Sequence, residues 1–134
     1  MEISYAVLAD YANLSREGKP NIMGIFDVIV SATFPVTHSQ MYLVSSIRAE
    51  PLDRPEQDRQ IRVVLLDQYG GEILTIFGVC NFRNSPAGEL GTANSLIRLK
   101  GLTFANPGNY KFQLFIDGDF KKEIPLKVEQ QRQG

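Results

Sequence analysis

The chain of 134 residues has one cysteine and one histidine, and its charge is almost balanced at −1. Each scarcity removes a class of function. A lone Cys80 forms no internal disulfide, and inside an apolar run it reads as a buried free thiol whose setting raises its pKa and blunts its reactivity. With His38 as the only imidazole, zinc and copper sites of the usual kinds have no ligand set, and no metal or other cofactor is expected. The charge balance gives no basic surplus for nucleic acid and no acidic solvating tract. No apolar run approaches the roughly 18 residues of a membrane span. The start, Met-Glu-Ile-Ser-Tyr-Ala-Val-Leu-Ala-Asp, has no basic residues before its apolar run, so no signal peptide is read and a cytoplasmic protein is expected. Asn13-Leu14-Ser15 is then a chance glycosylation match. Helical periodicity is absent as well.

What is present is alternation. From Tyr110 to Ile116, apolar Tyr110, Phe112, Leu114 and Ile116 share one face, and Lys111, Gln113 and Phe115 the other. Asp117-Gly118 supplies a tight hairpin turn, and Phe120 to Val128 returns with the same period. Pro107-Gly108 precedes this hairpin, and Tyr110 stands where the corner tyrosine of an immunoglobulin-like sandwich hydrogen-bonds to nearby backbone. Pro125 marks the last strand as a sheet edge.

Further strands are expected over residues 2–13, 22–34, 41–48, 61–66, 72–82 and 95–104. Gly18 is the expected positive-φ residue of the first turn, and Gly24 a bulge or close approach. Pro35 ends the second strand, and Val36 to Ser39 cross to the next. Residues 50–60 and 83–94 read as exposed loops. The fold class is all-β: an antiparallel β-sandwich of about eight strands, immunoglobulin-like, with a small β-barrel as the alternative. One domain spans residues 1–128, and 129–134 form a frayed polar tail.

No catalytic constellation emerges. Ser15, Ser31 and Ser39 lack nucleophile-elbow glycines. Asp53, Glu56 and Asp58 do not follow an EF-hand pattern. Gly70-Gly71 and the glycines at 88 and 91 lack the helix of a phosphate cradle. Phe115 and Phe120 near Lys111, Lys121 and Lys122 are a faint nucleic-acid pattern that hairpin packing explains more economically. Asp10 and Asp27 are the unusual carboxylates, each set in an apolar strand. If 2–13 pairs with 22–34 around Gly18, Asp10 falls opposite Phe26 or Asp27, and adjacent carboxylates could do acid–base work. The plainer alternative leaves one in solvent and gives the other backbone or cationic partners.

The stretch Asp10-Tyr11-Ala12-Asn13-Leu14-Ser15-Arg16-Glu17-Gly18-Lys19-Pro20-Asn21-Ile22-Met23-Gly24-Ile25-Phe26-Asp27 resembles the opening signature of a small family of uncharacterised bacterial single-domain proteins, a domain of unknown function. The likeness continues through Phe34-Pro35, His38 and Gln40 to Val44, and returns at Pro107-Gly108, Tyr110 to Phe112, Asp117-Gly118 and Pro125-Leu126. It implies a bacterial protein standing as one complete domain, and no activity. It also points to the hairpin, whose polar groups are dense. Candidate ligand- or partner-binding residues are Asp10, Tyr11, Asn13, Glu17, Lys19, Asp27 and His38. Asn13, Ser15 and Asn21 can equally build the turn. The leading expectation is a non-enzymatic interaction or assembly module that binds a protein or self-associates through a strand edge, with neither nucleic acid nor membrane as partner. A small-ligand or carbohydrate binder stacking its ligand on Tyr11, Tyr42 or Tyr69 is the alternative, and an enzyme using Asp10, Asp27 or His38 comes third.

Overall fold

The computed structural model describes residues 1–50, 58–82 and 91–132. Nine strands run in chain order: β1 (Glu2–Leu14), β2 (Pro20–Phe26), β3 (Val28–Ser31), β4 (Val36–Arg48), β5 (Arg59–Leu66), β6 (Glu72–Cys80), β7 (Thr92–Phe104), β8 (Gly108–Ile116) and β9 (Asp119–Gln130). They form two open sheets, β2-β1-β4-β7 and β3-β9-β8-β5-β6, packed as a β-sandwich. Among the described residues no helix is long and apolar enough to cross a membrane. The long loops expected at 50–60 and 83–94 lie largely outside the described residues, as do Asp53 and Glu56. At their described ends, Arg59 and Gln60 already belong to β5, and Thr92 to Asn94 to β7.

Alternation places the core. Leu8, Met41, Leu43, Ile47 and Leu99 of the first sheet face Ile61, Val63, Leu65, Phe112, Leu114 and Leu126 of the second. The hairpin β8–β9 follows the expected pattern throughout: Tyr110, Phe112, Leu114 and Ile116 are all buried. Asp117 and Gly118 both take positive φ, 49° and 86°, the backbone of a tight primed turn. The Tyr110 hydroxyl donates to the Asn106 carbonyl at 2.6 Å, and its ring meets Phe104 edge-on at 4.9 Å. This is the expected corner bond. The Asp117 carboxylate, in turn, accepts from Gln60 N and from Arg59, both at 3.0 Å, and ties the β8–β9 turn to the start of β5.

Three strand expectations are corrected. Residues 22–34 are not one strand. The chain leaves the first sheet at Asp27 and enters the second as β3, which pairs parallel with β9, so the sandwich is not wholly antiparallel. Strand β4 begins at Val36 instead of Met41, because Val36 and His38 already pair with Phe104 and Leu102. Strand β9 is internal, between β3 and β8, and runs on through Glu129 and Gln130, which pair with Val30 and Ser31. Pro125 is tolerated there because β3 joins β9 only from Lys127 onward, so its missing N–H costs no ladder bond on that side.

The first sheet carries a bend that the sequence does not announce. Strand β1 pairs with β4 only as far as Ala9–Tyr42, while its remaining residues pair with β2 alone. Continued straight, Leu14 would lie level with Thr37, nine residues along β4 from Ser46, the partner of Asn94; that is about 30 Å. Yet the Asn94 side-chain amide donates to the Gly18 carbonyl at 3.0 Å. The β1–β2 hairpin therefore folds back as an arm across the outer face of its own sheet. Val44 and Ser46, on that outer face, are buried at 0% and 7% exposure, and Ala12 of the arm is buried at 3%. The hinge is Asp10 with Gly24, whose φ is +71°.

Candidate functional site

The arm gathers most of the candidate residues, and its turn accounts for the polar ones. Gly18, at φ +83°, donates its N–H to the Ser15 carbonyl at 2.9 Å. Ser15 N–H donates to the Lys19 carbonyl at 2.7 Å, and the Ser15 hydroxyl accepts from Lys19 N at 3.1 Å. Two residue pairs back, Asn21 donates across the ladder to Asn13 at 2.9 Å. Asn13 and Ser15 thus build the turn, as the conservative reading of the sequence has it. Glu17 and Lys19 are exposed at its tip.

Asp10 does not face Phe26 or Asp27. Ala9 pairs with Ile25 and Tyr11 with Met23, which sets Asp10 against Gly24. A Cβ added at Gly24 would stand 2.9 Å from the Asp10 Cγ and 3.1 Å from its Cβ. The close approach expected of Gly24 is therefore its approach to Asp10, and side-by-side carboxylates are not formed. The register differs from the expected one because the turn is centred on Glu17 instead of Gly18, with Leu14 opposite Pro20 and Asn13 opposite Asn21. Asp27 is exposed at the sheet switch, and its carbonyl accepts from Lys127 N at 2.9 Å.

His38 stands apart from the arm. It is half-buried, its ring 5.7 Å from that of Phe26, a residue packed against the core. The Leu102 and Phe104 side of β7 pairs with it, so His38 turns toward the end of the core. Among the described residues no cluster of three or more His, Cys, Asp or Glu could hold a metal ion. Burial pushes the Cys80 thiol up from near 9 to about 11, with the Asp117 carboxylate adding to the effect. At neutral pH the thiol is protonated.

The aromatic candidates divide. Tyr11 and Tyr42 meet edge to face, centroids 5.4 Å apart, where the arm leaves the sheet. Tyr69, 88% exposed, sits on the β5–β6 turn of the other sheet. The three do not form one stacking surface. A shallow groove of about 330 Å³ opens where β2 passes into β3, lined by Ile25, Phe26, Asp27, Ile124 and Pro125 among others.

Residues that the sequence did not single out complete the arm. Met23 and Ile25 are 64% and 63% exposed beside Tyr11 at 43%. The only local signal is Gly24 between them, where the positive φ interrupts the alternation that otherwise suggests burial. On the opposite sheet Phe77, Val79 and Phe120 are also exposed. Phe115 meets Phe120 edge to face at 5.7 Å, and Arg62 lies 4.1 Å over the Phe115 ring. The Phe115–Phe120 contact is the expected hairpin packing, and Arg62 reaches it from β5. A comparison with curated proteins finds no match. A model of a family of unknown function, DUF6941, matches residues 4–129, and the chain belongs to that family.

Proposed function

We propose that this protein is a non-enzymatic interaction module that binds a protein partner through the outward face of its arm. One observation carries the reading. Tyr11 and Met23 are cross-strand neighbours on the arm and Ile25 stands at its hinge opposite Ala9, all exposed, on a hairpin that is itself held down by Asn94 and by the buried Ala12. An aromatic residue, a methionine and an isoleucine on a fixed platform, rimmed by Asn13, Asn21, Glu17 and Lys19, have the composition of an interface centre with a polar rim. The sandwich belongs with the immunoglobulin-like folds on this reading, supported by the corner tyrosine and by two packed sheets of four and five strands. A bacterial, cytoplasmic setting is part of the same proposal, and the buried, unpaired Cys80 is compatible with it.

The test is affinity purification from the native host with the wild-type protein and with a Met23→Glu, Ile25→Glu variant, followed by titration of the purified partner. Both substitutions lie at exposed positions, so the variant should melt with the wild type. A stoichiometric protein retained by the wild type and lost by the variant supports the arm as the binding face. A partner held equally by both refutes it. The alternative of a small-ligand binder draws less support, because Tyr69 lies on the other sheet and the three tyrosines share no cleft.

A further inference from the structure

The two open sheets leave four edges among the described residues: β2, β7, β3 and β6. Three of them carry features that discourage pairing with another chain. Strand β2 has Pro20 and the positive φ of Gly24. Strand β7 has exposed Arg98 and Lys100 followed by Gly101 at φ +65°. Strand β3 is four residues long. Such short, charged, kinked or proline-bearing edges are how soluble β-proteins avoid edge-to-edge association.

Strand β6 has none of these. It is nine residues long, and from Ile73 to Cys80 it contains no charge, no proline and no positive-φ residue. Its outward side chains Ile73, Phe77 and Val79 are 41%, 60% and 68% exposed. We infer that β6 is a self-association edge, at which a second copy of this chain pairs antiparallel to the first and joins the two five-stranded sheets into one of ten strands.

The sequence of β6 is complementary to itself. With a two-fold axis at Ile76, the centre of the strand, Ile73 of one copy falls opposite Val79 of the other, and Thr75 opposite Phe77. These are pairings of β-branched and aromatic side chains that favour a ladder. On the inner face Leu74 falls opposite Gly78, where a large side chain meets the open space at a glycine whose Cβ position has no described heavy atom within 4 Å. Glu72 falls opposite Cys80, so no like charges are opposed. The contact is isologous and uses the edge of each copy that is unpaired among the described residues, so it closes at a dimer instead of growing into a fibre. The apolar area withdrawn from water is small, at the low end of specific interfaces, which makes a concentration-dependent dimer in roughly the micromolar range. The inference concerns the sheet opposite the arm and stands or falls separately from the arm's partner.

Sedimentation velocity of the full chain over about 1 to 300 μM tests it. The expected result is a monomer–dimer equilibrium that Phe77→Lys with Val79→Lys weakens by at least about 30-fold, lysine being a natural edge-blocker, while the Met23→Glu, Ile25→Glu variant leaves it unchanged. Amide exchange of the unmodified protein gives a reading that needs no variant: β6 amides slow on concentration. A monomer at every concentration, a dimer equally tight in the lysine variant, or β6 exchange indifferent to concentration would overturn the inference.

Discussion

Replacing Gly24 by alanine separates two costs that the hinge of the arm combines. The first is backbone: φ is +71°, and a residue with a Cβ held in that region loses about 1–2 kcal/mol. The second is the approach of Asp10, whose Cγ would lie 2.9 Å and whose Cβ would lie 3.1 Å from the new methyl. The exposed carboxylate can swing aside, but its Cβ cannot, so this contact adds about 1 kcal/mol. Gly24→Ala should therefore destabilise by about 2–3 kcal/mol in urea unfolding, a fall in Tm of about 10 °C for a chain of this size. In an Asp10→Gly background, which removes that Cβ, the same substitution should cost about 1 kcal/mol less. A double-mutant cycle reads that coupling directly. Equal costs in the two backgrounds would show that Asp10 does not lie over Gly24 and would return the register to an open question. A cost under about 0.5 kcal/mol in the wild type would refute the positive φ itself.

Other perturbations test the rest of the sandwich. Tyr110→Phe removes the hydroxyl bonded to the Asn106 carbonyl and should cost about 1 kcal/mol, measured by the same denaturation, with a neutral result arguing against the corner bond. Phe112→Ala empties a fully buried site and should cost about 3–5 kcal/mol; a neutral outcome would place Phe112 outside the core. Asp117→Ala loses two acceptor contacts and a residue tolerant of positive φ, for about 1–2 kcal/mol, and Asp117→Asn should recover the part due to the φ and the Gln60 bond but not the Arg59 contact. Because the folded state holds the Cys80 thiol at about 11 and the unfolded chain ionises near 9, the native state binds more protons between those values. Stability should therefore fall as pH rises from about 9 to 11, and Cys80→Ala should flatten that decline in a pH series of melts.

How much was legible in the sequence follows from which physics is local. The β8–β9 hairpin could be read residue by residue, since its alternation, its Asp117-Gly118 turn and its corner tyrosine each depend on neighbours a few positions away. Gly18 and Gly24 could be read as special for the same reason. What could not be read is what depends on registers set at a distance. The chain from Ile22 to Phe34 is rich in β-branched and aromatic residues on both sides of Asp27, so the local pattern does not mark Asp27 as the point of transfer between sheets; the transfer follows from β9 offering an open edge beyond Pro125. Pro125 was a sound sign of an unpaired N–H but a misleading sign of a whole edge strand, because β3 covers only the last third of β9. The candidate site shows the same division. Asn13, Ser15 and Lys19 build their turn through contacts within eight residues, whereas the exposure of Met23 and Ile25 depends on how the arm lies over β4 and β7.

Why the arm folds back at that level of the sheet can be argued from its neighbours. Gly24 and Asp10 bend the β2–β1 ladder where pairing to β4 stops, at Ala9–Tyr42. Further along the same band, Gly101 takes φ +65°, and the buried positions of β7 step from Leu99 to Leu102, a change of parity that shows the pleat is interrupted there too. On β4, correspondingly, Met41 faces the core and so does Val36. The irregularities of all four strands thus align into one crease across the first sheet. Beyond it, β4 and β7 curl inward to close the core with Val36, Leu102 and Phe104, while β1 and β2 curl outward to cover Val44. The glycines make opposite curvatures possible in adjacent strands, and a straight β1–β2 hairpin would leave Val44 in water and the arm unsupported. A platform that presents Tyr11, Met23 and Ile25 at fixed positions is the consequence, and that fixity distinguishes the arm from an ordinary exposed hairpin.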